Sequence, residues 1–189
     1  MSESKIGRVL ASSLHQAISE LLPTRVEFYE SWLTAGRIRK DGLGRARMAA
    51  VISFLRQEGS QYDAVMDRAG RCVADWMVEV MPVVERTVLR RLPRPIRVRV
   101  VLRLVARMIR TVHDGRLRAL VRGSTAVVTV EGSLFCDVRE PTDTPLCRFY
   151  AAVIERCLES VNVSARARSS RCRAAGGRTC EFVIHLGDS

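Results

Sequence analysis

The sequence predicts an α+β fold: an antiparallel sheet of about four strands packed against helices, preceded by a mostly helical N-terminal half. Three observations carry this. Apolar residues recur at three- and four-residue steps through most of residues 5–113, the period of a buried helix face. Beyond His113-Asp114-Gly115 the pattern changes to alternation, the period of a half-buried strand. Two alternating pairs then bracket one more helical segment, and two hairpins around a helix close naturally as an antiparallel sheet with helices on one face. The expected organisation is a helical region at 1–114, packing on the same domain as an α+β region at 115–189.

The elements follow in order. Residues 5–22 carry Ile6, Val9, Leu10, Leu14, Ile18, Leu21 and Leu22 on one helical face and stop before Pro23. Residues 25–38 are ambiguous, because Val26, Phe28 and Trp32 fit either period. Residues 43–57 form a helix closed by Gly59, and residues 61–80 form another with Val65, Ala69, Val73, Trp76 and Val80 inward. Pro82 opens a helix to about residue 91, and Pro93 and Pro95 separate it from a helix over about 96–113. Leu117, Ala119 and Val121 then alternate up to an Arg122-Gly123-Ser124 turn, and Ala126, Val128 and Val130 alternate after it, as in a β-hairpin. Residues 140–145 (EPTDTP) read as a loop, and residues 146–160 return to the helical period through Leu146, Phe149, Tyr150, Val153, Ile154, Cys157 and Leu158. A second hairpin closes the chain, turning near Gly176 and Gly177, where glycine supplies the positive φ of a tight reversal.

Size and composition narrow the class. With 189 residues and 47% hydrophobic content, the chain can bury a core of its own. No apolar run reaches the length of about 18 residues that crosses a bilayer, so no membrane span is expected. The opening MSESKIGRVLASSLHQ lacks the plan of a signal peptide, and a cytoplasmic location follows as the expectation. In that compartment six cysteines are free, metal-bound or reactive rather than disulfide-bonded.

The formal charge of +11 is concentrated. Between Arg86 and Arg118 there are eleven arginines and one acid, Asp114. Arg99, Arg103, Arg107 and Arg110 follow helical spacing and form a basic face. Such a stripe binds phosphates or clamps carboxylates of a ligand or protein partner; a merely solvated face is the plain alternative.

Cys172 and Cys180 flank the Gly176-Gly177 turn, so a hairpin there sets two sulfurs face to face, as a thiolate metal site requires. The order VEGSLF, a loop, CRFYAAVIERCLES and CRAAGGRTCEF resembles the 4-vinyl reductase domain. That domain is named from bacteriochlorophyll 4-vinyl reductase proteins, occurs in phenol- and toluene-responsive activators, and is related in fold to the Bet3 vesicle-tethering subunits. The segment GLGRARMAAVISFLRQEGSQYDAVMDRAG resembles the helices preceding the domain in its stand-alone members, although Gly44-Arg45-Ala46-Arg47 departs from their usual Gly-Pro-Asn-Ala-like opening. The resemblance spans roughly residues 40–189. It implies a structural zinc held by Cys147, Cys172, Cys180 and the carboxylate of Glu131, with Cys136 as a competing fourth ligand and buried free thiols as the plain alternative.

Cys72 and Cys157 sit on apolar helical faces and read as core. His185 alternates away from Cys180, while His15 and His113 stand isolated in the sequence. Trp32, Phe54, Tyr62, Trp76, Phe149 and Tyr150 read as core aromatics, and they are the large apolar groups available to line a pocket.

The family name raises catalysis, but a vinyl reductase needs a hydride source. The chain has no Gly-x-Gly-x-x-Gly between a strand and a helix, no Walker motif and no nucleophile elbow. A closed four-ligand zinc also leaves no open position for water. The expected function is therefore non-enzymatic binding of a hydrophobic small molecule, as carrier or sensor. The resemblance offers a tetrapyrrole intermediate, whose propionates the arginines could clamp, or an aromatic hydrocarbon. Two alternatives stand beside it: a dimeric regulator that sets its Arg-rich face on an acidic partner or nucleic acid, and a component of a tetrapyrrole vinyl reductase. Nucleic acid is not favoured, because no helix-turn-helix or other reader motif is present. The resemblance also leads us to expect a homodimer.

Overall fold

The computed structural model describes residues 5–6, 8–33, 43–113, 115–137 and 142–187. Lys5–Ile6 (β1) pairs antiparallel with Leu43–Gly44 (β2), so the first expected helix begins at Arg8 rather than residue 5. That helix, α1 (Arg8–Leu21), buries Leu10, Ala11, Leu14, Ala17 and Ile18. It gives way to a 3-10 turn at Pro23–Arg25, because proline has no N–H to continue the ladder. The ambiguous segment is helical over α2 (Val26–Leu33); the rest of that expectation, 34–38, lies outside the described residues, as do 140–141 of the expected loop.

Four helices follow near their expected limits: α3 (Arg45–Gln57), α4 (Gln61–Glu79), α5 (Val83–Arg91) and α6 (Arg94–His113). Pro95 does not exclude residues 94–95 from α6, because in the first turn an N–H has no helical partner to lose. The chain then forms β3 (Arg116–Arg122), β4 (Thr125–Glu131), α7 (Arg148–Glu159), β5 (Ala165–Arg171) and β6 (Cys180–Leu186). The four strands lie in the order β3-β4-β6-β5, antiparallel throughout. Gly123, with φ +56°, takes the first position of the two-residue β3–β4 loop, where a type II′ turn calls for glycine.

Alternation sets the two faces of the sheet. Ala126, Val128 and Val130 of β4 and Cys180, Phe182, Ile184 and Leu186 of β6 are buried against helices. α6 packs beside β3 and α7 beside β5, with α4 over α7 and α1 over α4. Lying between sheet and α4, α7 is buried on nearly every side, including Phe149, Tyr150, Val153, Ile154 and Leu158. Its one buried acid, Glu155, accepts the Ala167 N–H on the outer edge of β5 (2.8 Å) and a bond from Arg148 Nη2 (3.0 Å). Burying that carboxylate is tolerable because both its oxygens are satisfied.

The close approach of α4 to α7 depends on Gly70. A Cβ at that position would lie 2.5 Å from the Phe149 carbonyl oxygen and 2.9 Å from the Ala152 Cβ, so any side chain must push the two helices apart. Gly70→Val is expected to destabilise the protein by at least about 1–3 kcal/mol, read as a lowered midpoint of thermal unfolding. An unchanged midpoint would contradict this packing. Glu155→Ala is expected to cost a similar ~1–3 kcal/mol by orphaning the Ala167 N–H, and Glu155→Gln, which keeps an acceptor, should cost less.

Candidate metal centre

Four segments of the C-terminal half bring one sulfur each to a single buried point. Cys136 ends a 3-10 turn at Leu134–Cys136, just past β4. Cys147 stands immediately before α7, Cys172 immediately after β5, and Cys180 opens β6. The Cys147 sulfur lies 3.1 Å from that of Cys172 and 3.2 Å from those of Cys136 and Cys180. Cys136 lies 3.5 Å from Cys172 and 3.4 Å from Cys180. These separations exceed a disulfide bond of about 2.05 Å and sit just inside the ~3.8 Å edge of a thiolate tetrahedron with 2.3 Å metal–sulfur bonds. All four cysteines are buried, and their ligand atoms lie within 4.8 Å of one another.

The local sequence explains the convergence. Between Cys172 and Cys180 the chain doubles back through a 3-10 turn at Arg173–Ala175 and Gly176 at φ +84°. The Cys172 carbonyl accepts the N–H groups of Ala175 (3.1 Å) and Gly177 (2.9 Å). A Cβ on Gly177 would lie 2.8 Å from that carbonyl, so the knuckle needs glycine there. Outside the sulfurs, Asp137 takes Arg45 from α3 (2.5 Å) and Arg173 from the knuckle (2.6 Å), pinning the Cys136 turn to the Cys172 loop. Tyr62 donates from α4 to the Leu146 carbonyl (3.0 Å), and Arg56 donates to the Phe135 carbonyl (2.8 Å).

Packed thiols without a cation share charge poorly. Hydrogen bonds from Cys136, Cys147 and Cys180 hold the Cys172 thiol below its ordinary range, and contacts with Cys136, Cys172 and Cys180 hold Cys147 above it. Only some of the four can ionise unless a metal supplies positive charge. The donor set therefore fits a divalent ion of soft-ligand preference in a closed site, with no position left for water.

The structure groups the expected site residues differently from the sequence pattern in one respect. Cys147, Cys172 and Cys180 meet, but the fourth member of the cluster is Cys136, not Glu131. Glu131 belongs to the alternate face of β4 from buried Val130; its side chain is 39% exposed and 3.9 Å from Arg118. The expected aromatic group also divides. Trp32 and Phe54 contact one another at 5.3 Å, with Phe28 beside Phe54, half-buried at the α2–α3 side. Tyr62 supports the Cys147 segment, and Trp76 is half-buried on α4 without ring contacts among the described residues. Cys72 and Cys157 are buried, as expected of core, and burial pushes Cys157 up to about 12.

Phe149 and Tyr150 belong to a buried cluster that includes three residues the sequence pattern does not place there: His113, Phe135 and Phe182. Ring centroids lie 4.8 Å apart for Phe135–Phe149, 5.3 Å for Phe135–Tyr150 and 6.3 Å for Tyr150–Phe182. The Tyr150 hydroxyl and His113 Nε2 share a 2.9 Å hydrogen bond whose direction follows the imidazole tautomer. Burial holds the Tyr150 phenol protonated, well above its ordinary range. Gly115 lets the backbone pass this ring, since a Cβ there would lie 2.4 Å from His113 Cε1. A signal for two of the three is present in the sequence: Phe135 adjoins Cys136, and Phe182 shares the buried strand face of Cys180.

Elemental analysis of the purified protein is expected to find about one divalent metal per chain. Cys136→Ser should lower that content and the melting midpoint, while Glu131→Gln should leave both unchanged. Metal-free protein whose four thiols react freely in the native state would contradict the assignment.

Comparison with known proteins agrees with this geometry. Residues 126–186 match the family model of the 4-vinyl reductase domain. No curated protein matches the chain in sequence. Among solved structures, the phenol-responsive sensory domain of the transcription activator PoxR with phenol is 14% identical, with a TM-score of 0.56, covering 76% of this chain and 75% of that one. A trafficking protein particle complex subunit 3 from Naegleria fowleri, covalently bound to palmitic acid, is 11% identical with a TM-score of 0.55, covering 76% and 95%. An H-NOX protein from S. oneidensis in the Fe(II)NO ligation state is 9% identical with a TM-score of 0.64, covering 97% and 100%. At these identities the likeness is one of fold. The chain carries a 4-vinyl reductase domain over residues 126–186, set in the fold that this domain shares with the Bet3-related subunits.

Proposed function

We propose that this protein binds a small hydrophobic molecule without transforming it, as a carrier or sensor, and that a structural zinc ion at Cys136, Cys147, Cys172 and Cys180 holds the binding region in shape. The observation that carries the reading is the Tyr150–His113 pair, a buried polar contact inside a cluster of aromatic rings beside the sulfurs. An apolar enclosure with one oriented polar group is the usual composition of a small-molecule site. The 4-vinyl reductase match supports the reading, as do the neighbours that hold phenol and palmitic acid, which are analogies of fold.

Geometry favours a small aromatic ligand over a tetrapyrrole. Arg99, Arg103, Arg107 and Arg110 are exposed on α6, whereas Val105 and Ile109 are buried on its other side. The guanidinium groups and the aromatic cluster therefore lie on opposite faces of that helix, and one macrocycle would not engage both. The rings touch one another directly, so a ligand enters by displacing a ring rather than by filling an open chamber.

The test is calorimetric titration with phenol, toluene and a dicarboxylic porphyrin. Phenol and toluene are expected to bind, and Tyr150→Phe should weaken phenol by about tenfold, the value of one lost hydrogen bond, while changing toluene about twofold or less. Porphyrin binding with no response to phenol or toluene would reverse the ranking. Absence of zinc from metal-loaded protein would separate the metal assignment from the ligand assignment.

A further inference from the structure

The two edges of the sheet are finished differently. The Leu186 N–H donates to the Ser124 carbonyl (2.9 Å), and an antiparallel ladder bonds alternate residues. Even-numbered residues of β4 therefore bond to β6, and odd-numbered ones to β3. On β3 the partners of the odd-numbered β4 residues are Arg116, Arg118, Leu120 and Arg122. Leu117, Ala119 and Val121 thus aim their N–H and C=O groups away from the sheet, toward its open edge. On the opposite edge the equivalent Ala167 N–H is taken by Glu155. Among the described residues no hydrogen bond reaches the open groups of β3.

A groove of about 340 Å³ runs beside that edge, between α6 and β3. Leu102, Ala106, Leu117 and Val121 supply apolar lining, and Arg99 and Arg103 stand along its α6 side. Ala119 is exposed although its side chain points to the helix side of the sheet, so α6 leaves the middle of β3 uncovered. Arg110, Arg116 and Arg118 continue the basic lining at the other end. Within this surface Arg118 has an acid at 3.9 Å, Glu131, and the whole segment from Arg86 to Arg122 contains the single acid Asp114.

We propose that the β3 edge and its groove are a docking site for an acidic, extended segment of a partner protein, which adds to the sheet as a fifth strand. An added strand would satisfy the open backbone groups of Leu117, Ala119 and Val121. Its alternate side chains would point into the groove, where apolar residues meet Leu102 and Ala106, and toward the arginines, where carboxylates pair. Seven residues match the length of β3, a span of about 23 Å. The same charge argues against a second copy of this chain, because edge-to-edge pairing would set the arginines of one β3 against those of another. A nucleic acid would satisfy the charge but not the strand edge. This inference does not depend on the small-molecule reading.

The probe is a fluorescent, end-blocked peptide of about seven residues that alternates glutamate with leucine or valine, read by anisotropy with the intact protein. It is expected to bind and to slow amide exchange at Leu117, Ala119 and Val121. A central proline in the peptide should weaken binding at least about tenfold, because it removes an edge hydrogen bond. Arg103→Glu with Arg118→Glu should do the same, and so should Ala119→Pro, whose lost N–H the native ladder does not use. These variants should keep the wild-type circular dichroism and phenol affinity, which separates this proposal from the ligand site. The proposal is overturned if the peptide fails to bind, or if its proline form binds equally well. It is also overturned if a single-stranded oligonucleotide of equal charge binds more tightly, or if β3 is already protected in a concentration-dependent dimer.

Discussion

Four sulfurs held within hydrogen-bonding reach of one another constrain everything in the C-terminal half. Cys136 fixes where the chain goes after β4, Cys147 where α7 starts, and Cys172 and Cys180 where the last hairpin turns. The sheet and α7 are thereby joined at one end by a few coordination bonds' worth of geometry, whereas their remaining contact is ordinary side-chain packing. Coordination is directional and short-ranged, and apolar packing is neither. The centre therefore sets the register of pieces that burial alone would leave free to slide by a residue.

Much of this is legible in the chain. The helical and alternating periods give the elements to within a residue or two, because a buried face must repeat at the period of its backbone. Three of the four sulfurs are legible from their positions at element ends. The fourth ligand expected from the resemblance, Glu131, is incorrect, and the alternation itself contains the correction. Ala126, Val128 and Val130 point to the helices, so Glu131 must point away from them, while Cys136 returns to the interior through a 3-10 turn that no periodicity marks. The aromatic grouping is not legible, because it joins α6, the Cys136 turn, α7 and β6, and only tertiary packing decides which rings meet. His113 stands isolated in the sequence for the same reason: its partner Tyr150 is 37 residues away.

The sheet edges show how charge and backbone satisfaction are divided. At β5 an internal carboxylate closes the edge, and Arg148 balances it. At β3 no internal group does so among the described residues, and the surrounding side chains are guanidinium groups with little to neutralise them. Arginine on a free edge discourages self-pairing by repulsion. It does so selectively, since the field that repels a copy of this chain attracts an acidic strand.

The sulfur cluster and the aromatic cluster are carried on the same pieces of chain. Phe135 adjoins Cys136, Phe149 follows Cys147 by two residues, and Phe182 follows Cys180 by two on the same strand face. The Tyr150 N–H donates directly to the Cys147 carbonyl (3.1 Å). A ring that yields to an entering ligand therefore cannot drag its backbone far, because the neighbouring sulfur is fixed. Accommodation must come from side-chain rotation and from the segment least tied to the sulfurs, which is the C-terminal end of α6 carrying His113. That end continues directly into β3, so a ligand bound between Tyr150 and His113 would act first on the one sheet edge that remains open.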